Sequence, residues 1–288
     1  MPPARNKLTP APRAAARPPA VQGAGSSPTA GSKPAPATPA TGKTPIRVRP
    51  GDGHSHLAAQ ISRAAVRHNL RTVRGHLQAG TRLCAVGKAD AYGHGLAGLL
   101  DVLAHEADML AVATPAEALA LRGLGYAGDV LVFSSACGGP EAAGRQDALA
   151  ELIARDVTLT VAAAAEVPEV ARAAQRAGRP ARAHVKLDTG MSRSGTLWTE
   201  VAPLAAALAA AGAVRLEGLY THFATADEGD LTFTHEQLDR FGRGASAFGA
   251  SAELCRHAAN SAALAELPAA HLDMVRSGIA RSEEHTSE

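Results

Sequence analysis

The stretch Ala85-Val86-Gly87-Lys88-Ala89-Asp90-Ala91-Tyr92-Gly93-His94-Gly95 decides how this chain is read. An apolar run ends in one lysine, and a tyrosine follows four positions later in a glycine-bounded turn. A lysine at the exit of a buried strand is costly to place, because burial opposes its charge. It is either a rim residue whose stem lies along apolar surface, or a chemical group. A desolvated amine has a depressed pKa and can form a Schiff base, the usual way a lysine holds pyridoxal phosphate.

Such a motif needs strands around it, and eight short β-like runs are present. They are Leu83 to Gly87, Met109 to Ala113, Val130 to Phe133 and Thr158 to Val161, then Arg182 to Leu187, Arg215 to Thr221, Leu254 to Ala258 and Leu272 to Arg276. The segments between them carry helical periodicity, as in Pro115-Ala-Glu-Ala-Leu-Ala-Leu-Arg122 and Pro203-Leu-Ala-Ala-Ala-Leu-Ala-Ala210. Eightfold alternation of strand and helix predicts an α/β fold, a parallel (β/α)8 barrel of TIM type. A doubly wound open sheet is the alternative, but its G-x-G-x-x-G fingerprint after the first strand is absent. An opening helix is expected from about Ser62 to Gln78, with Ser62 as N-cap.

Composition bounds the rest. The 288 residues are 46% hydrophobic and only 3% aromatic, so the core must be built from Ala, Leu and Val. Net charge is +2, yet residues 1–50 hold eight Lys or Arg and no acid; removing those eight from +2 leaves −6 for the remainder. A body without a basic surplus is not a nucleic-acid binder. The same fifty residues hold 12 of the 18 prolines, and residues 1–56 read as a disordered tail. No apolar run in that tail is long enough for a signal peptide or membrane span. Three separated cysteines, Cys84, Cys137 and Cys255, give no disulfide or zinc pattern and point to the cytoplasm. Gly42-Lys43-Thr44 lacks the leading glycine of a P-loop, and Gly53-His54-Ser55-His56 has nothing at metal-ligand spacing. No metal is expected.

In a barrel, functional groups gather where strands end. Here Lys88 follows the first strand. Lys186, Asp188 and Arg193 follow the fifth, and Tyr220-Thr-His222-Phe-Ala-Thr-Ala-Asp227 follows the sixth. His257-Ala-Ala-Asn260-Ser261 follows the seventh, and Arg276-Ser-Gly278-Ile279-Ala the eighth. Polar groups at four exits beside a strand-end lysine are not a chance collection.

These runs resemble the N-terminal barrel of the pyridoxal-phosphate-dependent alanine racemase family over roughly Gln60 to Ala280. Five of its motifs occur in order: Lys-Ala-Asp-Ala-Tyr-Gly-His-Gly, Asp-Thr-Gly-Met-x-Arg-x-Gly, Thr-His-Phe-Ala-Thr-Ala-Asp, Ala-Asn-Ser-Ala and Val-Arg-x-Gly-Ile-Ala. The resemblance implies that Lys88 forms the aldimine with pyridoxal 5'-phosphate and acts as base on one face of the substrate. It implies that Tyr92, the Ser261 hydroxyl and the Gly278 and Ile279 amides hold the cofactor phosphate. Arg193 would bond the phenolic oxygen and contact substrate, His222 would lie against the ring, and Asn260 would line the pocket. Arg276 would face the ring nitrogen, and Lys186 matches a lysine that is often carbamylated.

An arginine opposite the ring nitrogen does not give up its proton, so the ring stays a weaker electron sink and racemisation is favoured over transamination. The implied reaction interconverts L- and D-alanine through a carbanionic intermediate, supplying D-alanine for cell-wall synthesis, with a homodimer expected of the full-length enzyme. A broad-specificity, serine or lysine racemase, or a non-catalytic cofactor-binding barrel, remains the alternative.

Three departures stand out: Gly87 where a larger apolar residue is usual, expected to loosen packing behind the lysine; Ser192 for a common Gly; Ser277 for a frequent Pro. The resemblance stops at Ala280. In the family a C-terminal β-domain follows and supplies the opposing catalytic tyrosine, whereas residues 281–288 read as a non-family extension. The expectation for the chain as it stands is cofactor binding with racemisation lost or very slow.

Overall fold

The computed structural model describes residues 60–138, 144–249 and 253–281. The tail, the Gly42-Lys43-Thr44 and Gly53-His54-Ser55-His56 runs and residues 282–288 lie outside the described residues. The described residues belong to the unit Lys43–Glu288. Their strands are β1 (Arg82–Val86), β2 (Met109–Val112), β3 (Val130–Ser135), β4 (Val157–Val161), β5 (Ala181–Asp188), β6 (Thr196–Leu197), β7 (Val214–Tyr220), β8 (Cys255–His257) and β9 (Met274–Ser277). The helices are α1 (Arg63–Gly75), α2 (Lys88–Tyr92, a single turn), α3 (Leu96–Glu106), α4 (Pro115–Gly123), α5 (Arg145–Ala154), α6 (Val167–Ala177), α7 (Ala202–Ala210), α8 (Thr232–Ala245) and α9 (Ser261–Glu266).

The wall runs β8-β7-β5-β4-β3-β2-β1-β9, every neighbour parallel. The strands read as short, nearly unbroken apolar runs because parallel strands are buried on both faces. The two ends of the wall meet through a few bonds instead of a ladder. The Asp273 amide donates to Arg256 O at 3.0 Å and the Arg276 amide to Ala259 O at 3.0 Å. The Asp273 carboxylate accepts from the Arg256 amide at 2.7 Å, standing in for a main-chain acceptor. The fold is the expected (β/α)8 barrel, nearly closed.

Each of the eight predicted runs matches a wall strand to within two residues at either end. The two-residue β6, which pairs with the end of β5, was not anticipated. Ser62 caps α1, its hydroxyl accepting from the Ala65 amide at 3.2 Å. The helix stops at Gly75, short of the expected Gln78, because the His76 amide turns back to Val73 O and Arg74 O. At Gly87, Leu96 Cδ1 stands 3.1 Å from where a Cβ would be. Packing behind the lysine is therefore filled by Leu96, and the loosening expected there does not occur.

The barrel interior is stratified. At the N-terminal ends of the strands, Arg182 bridges Asp129 (2.8 Å) and Glu217 (2.8 Å), and Arg82 joins Asp129 (3.2 Å). Above this plug lies an apolar layer of Cys84, Met109, Ala111, Leu131 and Met274, with Phe133 and Cys255 packed on it. It is separate from the larger core between wall and helices. Burial pushes the Cys84 thiol up to about 12, so it packs as an apolar group. The third layer, at the C-terminal ends, is polar and forms the floor of the site.

Candidate active site

A cavity of about 510 Å³ opens at the C-terminal ends of the strands. Lys88, Tyr92, Lys186, Arg193, His222, Asn260, Ser261, Arg276, Gly278 and Ile279 all line it. The ten come from five strand exits, so the topology brings together every site residue expected from the sequence.

Lys88 stands two residues past the end of β1 and opens an unusual turn. Ala89, Asp90, Ala91 and Tyr92 all have φ between 50° and 59°, four left-handed residues without a glycine. Each costs about 1–2 kcal/mol for an L-residue. The turn is held by Ala91 N–H to Gly87 O (3.0 Å), Gly93 N–H to Ala89 O (2.8 Å) and Gly95 N–H to Asp90 O (3.0 Å). Asp90 Oδ1 also accepts from the Leu96 amide at 2.7 Å. The result brings Lys88 Nζ over the Tyr92 ring, 5.5 Å from its centroid.

The loop after β5 is shaped by Asp188, whose Oδ1 accepts from the Gly190 (2.9 Å) and Ser192 (3.1 Å) amides. Ser192 has φ 56°, a conformation that favours glycine. At Gly195 the chain passes back over β5 at φ +122°, and a Cβ would meet the Asp188 amide at 2.8 Å. This loop carries Arg193 to the rim. Below it, Lys186 Nζ donates to Ser194 Oγ at 2.6 Å. Burial, with the nearby Arg193 and Arg276, lowers the Lys186 amine to about 8.

The floor centres on Arg276, which is 4% exposed. Its Nη2 donates to Thr221 O (2.7 Å) and Ala258 O (2.9 Å), and its Nη1 to His257 O and His257 Nδ1, both at 3.0 Å. Arginine has no acceptor, so His257 Nδ1 must be bare and its proton must sit on Nε2. That Nε2 lies 2.9 Å from His184 Nδ1, which places the His184 proton on its own Nε2. Burial holds both imidazoles neutral, His184 at about 3 and His257 well below the usual value. Tyr220 stacks on His257, with centroids 4.9 Å apart and planes 10° apart. Thr160 Oγ1 donates to Val132 O at 2.6 Å, so the Tyr220 hydroxyl donates to Thr160 Oγ1 at 2.9 Å. His222, at the rim, is lowered to about 3 by burial and by Arg276, Arg193 and both lysines.

The opposite end is a small cradle. The Gly278 amide donates to Ser261 Oγ at 3.0 Å and the Ala280 amide at 3.4 Å. An oxygen that accepts here keeps its own O–H to donate. A Cβ on Gly278 would lie 2.3 Å from the Tyr92 hydroxyl, so the cradle exists because this residue has no side chain. Asn260 caps α9, its Oδ1 accepting from the Ala263 amide at 2.9 Å. The Ser261 and Tyr92 hydroxyls both lie at Gly278, donors of the kind that suit a phosphate-sized anion.

Several contributors carry no role that their sequence motifs disclose. Tyr220 and His257 stand inside strand-exit motifs, and alternation back from Lys186 puts His184 on the inner face. Glu117 on α4 and Gln237 on α8 carry no strand-exit signal. Gln237 is fully buried; its Nε2 donates to Thr189 Oγ1 (3.2 Å) and His222 O (3.3 Å), and its Oε1 accepts from Ala224 N (2.9 Å).

A strand-end amine, a buried guanidinium and a pair of hydroxyls at the C-terminal mouth are the features of a barrel with a small-molecule site. Residues 61–281 match the family described as alanine racemase, N-terminal domain. The chain belongs to this family. It is 39% identical over 224 residues to an alanine racemase of Desulfovibrio desulfuricans, covering 77% of this chain and 58% of that protein. It is 40% identical over 231 residues to one of Sorangium cellulosum, covering 77% and 59%. Among solved structures, alanine racemase of Clostridium difficile superposes with a TM-score of 0.70 at 31% identity, covering 78% of this chain and 58% of that one. That of Streptomyces lavendulae gives 0.67 at 38% identity, covering 77% and 57%. The chain thus spans just under three fifths of the length of the relatives it matches.

Proposed function

We propose that this barrel binds pyridoxal 5'-phosphate and forms the cofactor-holding part of an alanine racemase, with L- and D-alanine as substrates and a homodimer as the complete enzyme. The observation that carries the reading is the cavity itself. The cradle hydroxyls, the Lys88 amine and the Arg276 guanidinium line one space of about 510 Å³, the set of groups that a ring bearing an aldehyde, a ring nitrogen and a phosphate calls for. When bound, the cofactor would withdraw electrons from the substrate Cα–H bond and make that proton acidic.

The chain's own residues then have distinct work. Tyr92, Ser261, Gly278 and Ile279 would bind the phosphate. Lys88 would hold the aldehyde carbon and carry the Cα proton on one face at Nζ. Arg276, locked by three carbonyls, would face the ring nitrogen as a donor and give it no proton. His222, neutral, would pack against the ring without adding charge. Arg193 would orient the phenolic oxygen and the substrate, Asn260 would shape the wall, and Lys186 would support Arg193 from below. The cysteines are free, consistent with a reducing cytoplasm. Among the described residues no helix is long and apolar enough to cross a membrane.

The test is titration of the chain with pyridoxal phosphate, beside a Lys88→Ala variant. Covalent capture at Lys88, lost in the variant, is expected. Capture elsewhere, or equal capture by both proteins, overturns the reading. Chiral analysis of alanine incubated with the loaded protein tests the substrate.

A further inference from the structure

We propose that Glu117, on the neighbouring strand–helix unit, is the positioning residue that holds the backbone at Lys88. The proposal rests on Lys88 being the cofactor-bearing lysine. Glu117 sits in the first turn of α4 and its carboxylate collects three main-chain donors. Oε1 accepts from the Ala89 amide at 2.7 Å, and Oε2 from the Ala113 amide at 2.7 Å and the Thr114 amide at 2.9 Å. The Thr114 bond, with the Glu117 amide donating to Thr114 Oγ1 at 3.3 Å, is an ordinary capping box. The Ala89 bond is not part of a cap.

Ala89 directly follows Lys88 and is the first of the four left-handed residues, at φ 50° and ψ 52°. Nothing in the preference of alanine holds that conformation. The turn's own four main-chain bonds leave the Ala89 N–H out, although the Ala89 carbonyl accepts from the Gly93 amide, while Glu117 Oε1 is the acceptor that ties that N–H to a different helix. One carboxylate therefore locks the exits of β1 and β2 together, and Lys88 projects from the locked end. Without Oε1 as acceptor the strained turn relaxes from its first residue, and the Lys88 amine loses its fixed origin relative to the cradle.

The experiment compares the 288-residue chain with Glu117→Gln, Thr114→Ala and Lys88→Ala, using pyridoxal phosphate as probe. Amine and aldehyde join with loss of one water; borohydride adds hydride to the C=N bond, and peptide mapping locates the label. Glutamine keeps the size but has one acceptor oxygen; with that oxygen held by the Ala113 and Thr114 amides, its amide –NH2 faces the Ala89 N–H, donor against donor. Capture at Lys88 is expected to weaken roughly tenfold or more in Glu117→Gln, as for loss of one bond to a charged acceptor. Thr114→Ala breaks the cap and leaves Ala89 alone; it should melt earlier than the parent yet capture like it. Equal capture by Glu117→Gln and the parent overturns the proposal. So does equal loss in Thr114→Ala, which would make the helix cap, not the Ala89 bond, responsible. Absence of capture at Lys88 in the parent overturns the underlying cofactor reading instead. Should Glu117→Gln not fold, Glu117→Asp, whose carboxylate withdraws from Ala89, is read by the same outcomes.

Discussion

Gly278→Ala should close the anion cradle without unfolding the protein. The new methyl would lie 2.3 Å from the Tyr92 hydroxyl oxygen and 3.1 Å from Cζ, against an ordinary contact of roughly 3.5 Å. Gly278 is not among the residues with positive φ, so alanine brings no backbone strain. The clash falls on the far end of a half-buried tyrosine, which can swing aside; a stability loss below about 1 kcal/mol is expected. The hydroxyl then leaves the point it shares with Ser261. A hydrogen bond from a hydroxyl to a charged phosphate contributes about 1.5–3 kcal/mol, or a loss of roughly 10- to 150-fold in affinity for pyridoxal phosphate. Tyr92→Phe removes the same oxygen directly and should lose the same amount. It also removes the atom that the methyl strikes, so the double variant should lose no more than either single one. The coupling is therefore about as large as the single effect. The assay is titration with pyridoxal phosphate and, in parallel, with pyridoxal, which lacks the phosphate and should bind all four proteins alike. Wild-type affinity in Gly278→Ala, additive losses in the double variant, or equal losses for pyridoxal would each refute the cradle.

Other expectations follow from the floor and its loops. Gly218→Ala should destabilise by about 1–3 kcal/mol, an overpacking cost, because a Cβ there meets Cys255 O at 2.7 Å and the His184 ring at 2.8 Å; a urea midpoint unchanged from wild type would contradict this. Arg276→Met strands the carbonyls of Thr221, His257 and Ala258 and should cost about 3 kcal/mol or more in the same measurement. Ser192→Gly should raise stability by roughly 1 kcal/mol, since the residue sits at φ 56°, and a lower melting temperature would count against it. Lys186 titrates near 8 in the folded chain against 10.5 when free. Between those values the unfolded state binds the extra proton, so stability rises with pH. The penalty is full below pH 8 and relieved above it; Lys186→Met should abolish that rise, and parallel stability profiles for the two proteins from pH 7 to 10 would refute it.

How much of this was legible depends on how each contact is encoded. The strands were readable because a parallel barrel strand buries both faces and shows as a bare apolar run such as Leu83 to Gly87. The mouth was readable because each strand hands one short loop to it, so Lys88 with Tyr92, Asn260 with Ser261, and Arg276 with Gly278 and Ile279 stay adjacent in sequence. The left-handed turn was not readable. Ala89 and Ala91 have no preference for it, and what holds it includes a carboxylate 28 residues away. Nor was the pairing beneath Arg276: His184 meets His257 across 73 residues, and alternation that puts His184 on the inner face does not say what it meets there.

That division has a physical consequence for the site. The groups that would touch a ligand stand on loops, but the group that would set its charge does not. Arg276 is in a strand, and its four bonds go to Thr221, Ala258 and His257, main-chain and ring atoms at the ends of β7 and β8. The neutral His257 below it is in turn fixed by His184 and by the face of Tyr220. Changing the orientation of the guanidinium therefore requires the wall itself to move, where protein interiors yield least. Loops carrying Arg193 or His222 can shift without altering which atom donates at the floor. The tautomers of the floor are set by the barrel wall, and the residues that join its two ends, Arg256, Ala259 and Asp273, lie within three residues of His257 or Arg276, in or beside β8 and β9.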